Sequence, residues 1–343
     1  MNRTPEQEEL AASVRMLLAK RSDSVAVRAA IESPHGYDAS LWRQLCDQVG
    51  VAALPIPESA GGAGFSLADA LVGAEEVGYS LAPVPLLSSL VASAALTAIA
   101  GSEALLERIA SGEIATVAWS GTTAAAPTDE PLTYSDGTIS GTIANVLDGD
   151  LATVLIAAAR TSAGVALVSV DPADVERTGT PAMDPTLRLA TLALDRTPAI
   201  LLVDDATDAL EAAHRAGCLT AAALQLGTAR RGLDMTVTYA KERHQFGRPI
   251  GSFQALKHRM ADMLVRVEMA RSALYAAIDD PQMTHSTSAY CAEALSYIAA
   301  ETIQMHGGIG ITWEHDAHLV FKRAHALSQL FGQPHEHRAL ITL

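Results

Sequence analysis

The sequence has few cysteines and few positive charges. Its three cysteines (Cys46, Cys218 and Cys291) have the spacing of neither a disulfide framework nor a zinc site. Lysine and arginine total 24 against 39 aspartates and glutamates, which leaves a formal net charge of −15. Because polyanions are bound by basic surfaces, this balance argues against nucleic acid and against an anionic membrane surface as partners.

A long, strongly apolar run is also lacking. The uncharged stretch from residue 80 to 101 contains Pro83, Pro85, four serines and many alanines, so it is only weakly apolar. We expect a buried helix beginning after Pro85 and not a membrane span. The first ten residues, MNRTPEQEEL, are polar where a secretory signal needs an apolar run, so we expect a cytoplasmic globular protein.

Three blocks of different pattern follow one another along the chain. Residues 1–112 predict helices, including one that starts at a Thr4-Pro5 cap and others over 37–49, 67–77 and after Pro85. Residues 113–203 contain short apolar runs that predict strands, over 132–137, 154–158, 165–170 and 189–194. Residues 204–343 again predict helices, over 206–242, 252–279, 284–306 and 315–330. The predicted fold is α+β: an N-terminal helical domain, a small antiparallel β domain or partial barrel, and a C-terminal four-helix bundle.

The first segment that suggests chemistry is YAKERHQFGRPIGSFQ, residues 239–254. A helix ends in a turn, and Ser252 is predicted to cap the next helix. An arginine, amides and two aromatics at this corner could hold a phosphate and a flat ring together. Alternatively, the arginine caps the first helix and Phe246 belongs to the core. The candidate residues are Arg243, Gln245, Phe246, Phe253 and Gln254.

The second segment is ETIQMHGGIGITWE, residues 301–314. A helix runs into a Gly-Gly-x-Gly turn, whose bare backbone allows a ligand to approach closely. A plain helix stop would explain the same glycines. The candidate residues are Gln304, Met305, His306, Gly307 and Gly308.

Taken together, these segments resemble the acyl-CoA dehydrogenase family. They carry its patterns R-x-x-F-G-x-x-I-x-x-x-Q and Q-x-x-G-G-x-G-x-x-x-E, and residues 57–64 carry its P-E-x-x-G-G-x-G. The resemblance covers nearly the whole chain and implies the helix–β–helix fold. It also implies oxidation of an acyl-CoA thioester to the trans-2-enoyl-CoA with FAD as cofactor. The ten candidate residues would then contact the adenine and pyrophosphate end of an FAD seated mainly in a neighbouring subunit.

The sequence departs from the family at the catalytic base. The two positions that carry this glutamate in family members are occupied here by Phe331 and Gly217, and neither can accept a proton, so we predict no catalytic residue in this chain. The segments that face the flavin from the β domain should fall near 119–124 and 145–147, and they keep little of the family pattern.

This combination resembles the short, degenerate subunit of actinobacterial α2β2 acyl-CoA dehydrogenases that act on steroid side-chain CoA thioesters. It implies a catalytic acyl-CoA dehydrogenase subunit as partner and an acyl-CoA as substrate. Two alternatives stay open. One is a self-sufficient homo-oligomer that uses Glu314 as base. The other is a flavin-free acyl-CoA- or protein-binding module, disfavoured because Arg243 would be a buried charge without a phosphate.

The remaining aromatic and histidine residues are given structural interpretations. Trp313 and Phe331 are expected to pack under the glycine turn, although Phe331 could instead fill the space where substrate and flavin meet. The pairs His315/His318 and His335/His337 lack further ligands at a known spacing. We therefore expect solvated helix ends and no metal.

Overall fold

The computed structural model describes residues 3–341. The first part of the chain folds into helices connected by short turns. They are α1 (Pro5–Arg21), α2 (Ser24–Glu32), α3 (Ala39–Val49), α4 (Leu67–Ser80), α5 (Leu86–Thr97) and α6 (Glu103–Ala110). The predicted start of α1 is confirmed, because Thr4 and Gln7 form a reciprocal capping box. Helices α2 and α6 were not predicted. Helix α5 is almost entirely buried, and no helix within residues 3–341 is long and apolar enough to cross a membrane.

The middle of the chain forms a sheet that closes on itself. Its strands are β1 (Ala115–Ala118), β2 (Thr133–Ser135), β3 (Thr138–Leu147), β4 (Val154–Arg160), β5 (Val165–Val170), β6 (Glu176–Thr180) and β7 (Leu189–Val203). The pairing runs β4–β5–β7–β3–β2 and returns to β4, so this is a small barrel. The predicted antiparallel arrangement holds except where β4 pairs in parallel with β1 and β2. Asp136 and Gly137, both at positive φ, form the predicted hairpin turn between β2 and β3.

Helices return after the barrel. They are α7 (Thr207–Glu242), α8 (Gln254–Asp279), α9 (Thr284–His306), α10 (Ala317–Leu327) and α11 (Pro334–Ala339), with the two-residue strands β8 (His244–Gln245) and β9 (Arg248–Pro249) between α7 and α8. Ser252 does not cap α8 as predicted. It lies in the 3-10 turn Ile250–Ser252, and Phe253 is the N-cap residue. Helix α10 is shorter than predicted at both ends.

The first and last helical blocks share one hydrophobic core. Helices α4 and α7 cross so closely that a Cβ atom at Gly227 would lie 1.9 Å from the Glu75 carbonyl oxygen. A Cβ atom at Gly78 would lie 2.3 Å from the Leu224 carbonyl oxygen. Only glycine permits such backbone contact, so the crossing fixes α7 against the N-terminal helices.

A buried ion pair joins the barrel to the last helices. Arg323 on α10 donates to Asp184, in the loop between β6 and β7, at 2.7 Å, and both side chains are almost fully buried. Thr186 Oγ1 accepts a further hydrogen bond from Arg323 Nε at 2.9 Å. A buried charge is tolerated only when it is paired and hydrogen-bonded, which is the case here.

We predict that Asp184→Asn lowers the free energy of unfolding by about 3–5 kcal/mol, because it leaves the buried Arg323 charge uncompensated. Urea denaturation measures the loss. The matched control is Glu293→Gln, which removes the carboxylate of an exposed pair with Arg338 and should leave stability nearly unchanged. Equal effects of the two substitutions would contradict this role of the buried pair.

Candidate functional site

Phe331 and Gly217, the two positions that the family resemblance matches to a catalytic base, lie in contact inside the protein. Phe331 follows α10 and is 1% exposed. A Cβ atom added to Gly217, on α7, would lie 2.3 Å from the Cε1 atom of Phe331. Its ring also lies 6.3 Å, centroid to centroid, from the rings of Trp119 and His214. Phe331 thus occupies the space beside Gly217, and its backbone holds φ at +57°, an unfavourable value for a bulky residue.

A small cavity of about 180 Å³ remains beside the Phe331 ring. It is smaller than the roughly 300–1,000 Å³ of typical small-molecule sites. Its lining comes from α5, the end of β1, strand β3 and Phe331, and it includes Ser88, Trp119, Ser120, Asn145 and Leu147. The structure therefore brings together Phe331 and the two β segments, near 119–124 and 145–147, that were expected to have lost flavin contacts.

A buried carboxyl group lies next to this cavity. Glu130 is 2% exposed and accepts hydrogen bonds from the backbone N–H of Ser120 at 2.9 Å and from its Oγ at 2.9 Å. Burial raises the pKa of Glu130 to about 7. The polar groups of Ser120, which lines the cavity, are thereby used within the chain. Glu130 stands in a loop without a recognisable motif, so the sequence contained no signal for it.

The residues of the first candidate segment lie on the surface at the end of α7. Arg243, Gln245 and Gln254 are exposed, and the Arg243 guanidinium makes no hydrogen bond or salt bridge within residues 3–341. Phe246, at the tip of the β8–β9 hairpin, is 92% exposed. The core interpretation of Phe246 is therefore wrong. The argument that Arg243 would be a buried charge is also wrong, because the hairpin projects from the body of the chain.

Phe253 connects this hairpin to α8. Its ring is partly covered by Arg248, whose Cζ lies 4.1 Å from the ring centroid, and it makes an edge contact with Phe246 at 6.1 Å. The corner therefore presents an aromatic surface beside cationic side chains. Such a surface suits a ligand that combines a flat ring with a phosphate.

The second candidate segment lies at the end of α9, beside the end of α7. Gln304, Gly307 and Gly308 are exposed, whereas Met305 and His306 are buried. The ring of His306 stacks on Tyr239 of α7 with centroids 4.5 Å apart. The structure thus joins the ends of α7 and α9, from which the two candidate segments begin.

Several packing expectations are wrong. Trp313 is 58% exposed, under the side chains of Arg28 and Lys322, and does not pack beneath the glycine turn. Phe331 packs against α7 and not beneath that turn. His318 and His337 are buried and are not solvated helix ends. Within residues 3–341 no group of three or more His, Cys, Asp or Glu side chains could hold a metal ion.

We predict that Gly217→Ala lowers the free energy of unfolding by about 1–3 kcal/mol, because the added methyl group collides with the Phe331 ring. In a Phe331→Leu background the same substitution should cost less, and a urea-denaturation double-mutant cycle measures the difference. Gly73→Ala is the control. Its Cβ meets only Val51 at 3.7 Å, so it should stabilise helix α4 by about 0.5–1 kcal/mol. Strictly additive losses in the cycle would contradict the contact.

We also predict a pH dependence caused by Glu130. Its pKa in the folded chain is about 7 against an ordinary 4.5, so the folded state holds the proton more tightly and stability falls as the pH rises through this window. Glu130→Gln removes this dependence, which corresponds to up to about 3 kcal/mol between pH 4.5 and 8. Urea denaturation of both proteins across this range measures it. Parallel pH profiles would contradict the prediction.

Comparison with known proteins assigns the chain to a family. The acyl-CoA dehydrogenase N-terminal domain matches residues 4–113, and the C-terminal domain matches residues 209–342. Acyl-CoA dehydrogenase IpdE2 of Mycolicibacterium smegmatis is 44% identical, with 96% of each chain covered. Acyl-CoA dehydrogenase FadE34 of Mycobacterium tuberculosis is 34% identical over 91% of this chain but only 44% of its own length.

Two solved structures have the same fold over 98% of this chain and 96% of theirs, each with a TM-score of 0.89. They are the Tcur3481-Tcur3483 steroid ACAD G363A variant, 30% identical, and the ChsE4-ChsE5 complex from Mycobacterium tuberculosis, 28% identical. The predicted helix–β–helix fold is confirmed. This chain belongs to the acyl-CoA dehydrogenase family.

Proposed function

We propose that this chain is a non-catalytic subunit of a heteromeric, FAD-dependent acyl-CoA dehydrogenase. In this proposal it contributes its exposed corner to an FAD site seated mainly in a catalytic partner and helps to hold the oligomer together. The observation that carries the proposal is the contact between Phe331 and Gly217. These are the two positions at which the family resemblance leads us to expect the base, and the apolar ring of Phe331 fills the space beside Gly217.

The loss of catalysis in this chain's own site has two physical causes in the proposal. Neither a phenyl ring nor a glycine can remove the α-proton of a thioester. In addition, the remaining cavity of about 180 Å³ is too small for a flavin ring with an acyl chain, and Glu130 already occupies the Ser120 N–H. The chain's own residues therefore do not fit FAD at this place.

At the other end of α7 the residues do fit part of the cofactor. Arg243 is exposed without a partner among the described residues, and the exposed Phe246 lies beside Phe253. Arg243 would pair with the pyrophosphate, the aromatic side chains would cover the adenine, and the exposed backbone of Gly307 and Gly308 would allow close approach. FAD bound there would accept the hydride that leaves the β-carbon of the substrate.

Two features of the related proteins support a second acyl-CoA dehydrogenase chain as the partner. ChsE4-ChsE5 is a complex, and Tcur3481-Tcur3483 likewise has two named components. This chain also matches less than half of FadE34, as expected if the counterpart of this subunit and its companion were joined in one polypeptide. Because Tcur3481-Tcur3483 is a steroid ACAD, the similarity also supports a steroid side-chain CoA thioester as substrate.

The self-sufficient alternative requires another base, and Glu314 is badly placed for this role. It lines a surface cleft together with Tyr239 and Glu242 at the far end of α7. Tyr239 is 22 residues beyond Gly217, which corresponds to roughly 33 Å along a helix. A carboxylate at that distance cannot reach a thioester held beside Phe331.

Because Arg243 is exposed, the cost of burying its charge cannot be used as an argument against the flavin-free alternative. What favours FAD is the combination at the corner of adjacent aromatic rings, Phe246 and Phe253, with the exposed Arg243, because such a surface can hold a flat ring and a phosphate together. Measuring FAD separates these possibilities directly.

The decisive experiment is the ratio of FAD to protein, read from the visible absorption spectrum. It compares the chain alone with the chain co-expressed and purified together with a full-length acyl-CoA dehydrogenase from the same genome. We expect no flavin in the isolated chain and one FAD per two chains in the complex. One FAD per isolated chain would overturn the proposal in favour of a self-sufficient flavoprotein. A stable complex without flavin would favour the binding module.

We further predict that Arg243→Ala weakens FAD binding by the complex about 10- to 100-fold, because a charge-assisted hydrogen bond to phosphate contributes about 1.5–3 kcal/mol. Titration of the apo-complex with FAD measures the change. Arg43→Ala, which removes an exposed arginine from α3, is the control and should leave the affinity unchanged. If the two variants bound FAD with equal affinity, Arg243 would not contribute to FAD binding.

A further inference from the structure

Helices α7 and α9 are held together by a row of small and hydroxyl residues that leads to the corner. A Cβ atom at Gly232 would lie 3.0 Å from Thr302 Oγ1, so the two helices are in close contact there. One turn further along α7, Thr236 Oγ1 donates to Thr302 Oγ1 at 3.2 Å. The next contact along this seam is the stack of Tyr239 on His306.

His306 lies between three structural elements. One face of its ring stacks on Tyr239 of α7 at 4.5 Å, and His315, just before α10, lies 4.4 Å away. The glycine turn also folds back on it, because a Cβ atom at Gly310 would lie 3.1 Å from the His306 Cβ. Arg243 begins one turn after Tyr239, with its backbone N–H bonded to the Tyr239 carbonyl oxygen at 2.8 Å. His306 therefore contacts α7 one turn before Arg243 and directly precedes the Gly307–Gly308 turn.

The hydrogen bonds of His306 define its state. Its Nδ1 lies 2.7 Å from the Thr302 carbonyl oxygen, which can only accept, so Nδ1 carries the proton. Its Nε2 is buried and has no hydrogen-bond partner within residues 3–341. A second proton would be an unpaired buried charge, so the ring is neutral and its position depends on stacking and on one hydrogen bond.

We propose that His306 is a positioning residue that sets the relative placement of the Arg243–Phe246 turn and the Gly307–Gly308 turn, and not a residue that contacts FAD itself. This inference rests on the proposed function, because the two turns matter together only if they bind one ligand. The buried ring joins the end of α7 to the end of α9 through its stack on Tyr239, one turn before Arg243 and directly before Gly307.

The test compares FAD affinity in the assembled complex for three variants. His306→Ala removes the stack and should weaken FAD binding at least 10-fold while the complex still assembles. His306→Phe keeps a stacking ring, and its affinity should lie within about 3-fold of the wild type. Leu295→Ala empties a fully buried position on the same helix and should lower the melting temperature while leaving the affinity unchanged.

The outcomes separate this inference from the proposed function. If Arg243→Ala weakens FAD binding and His306→Ala does not, the positioning role is wrong and the shared site stands. If His306→Ala and Leu295→Ala weaken binding equally, the effect is general destabilisation and the positioning role is also wrong. If Arg243→Ala has no effect, the shared site fails and the inference fails with it.

Discussion

The close packing of helix α7 against its neighbours is the constraint on which the rest of the structure depends. A glycine inside a helix costs about 1 kcal/mol relative to alanine, and α7 contains three. Gly227 allows backbone contact with α4, Gly232 allows contact with α9, and Gly217 leaves room for the Phe331 ring. Each glycine lowers the helix propensity of α7 but lets a neighbouring backbone or side chain come closer than any Cβ atom would allow. Together these contacts hold α7 against both helical blocks of the chain.

Because α7 is long, it also separates two places with opposite properties. At Gly217 the Phe331 ring fills the neighbouring space, and Ser120 is hydrogen-bonded internally to Glu130. At Arg243, 26 residues or roughly 39 Å further on, cationic and aromatic groups remain exposed. At the first place the polar groups of Ser120 are hydrogen-bonded within the chain, whereas at the second the Arg243 guanidinium has no partner among residues 3–341, and this contrast is the physical basis for proposing a partner subunit.

Much of the fold could be predicted from local patterns, because helix periodicity, caps and hairpin turns are properties of neighbouring residues. The capping box at Thr4 and the Asp136-Gly137 turn are examples. Short elements such as β1 were missed, since its four residues, all of them buried, are too few to show a period. The burial of His318 and the exposure of Arg243 were misjudged, because burial depends on which distant elements pack over a residue.

The sequence by itself determined the order of the helical and β blocks, the motifs shared with the family, and the presence of a phenylalanine at 331 and a glycine at 217. These are matters of residue identity and spacing. Only the tertiary structure decided that Phe331 lies against Gly217, that Glu130 bonds to Ser120, and that His306 joins the ends of two helices. Such contacts link residues far apart in the chain, and they follow from how closely the helices and the barrel can pack, which no local pattern records.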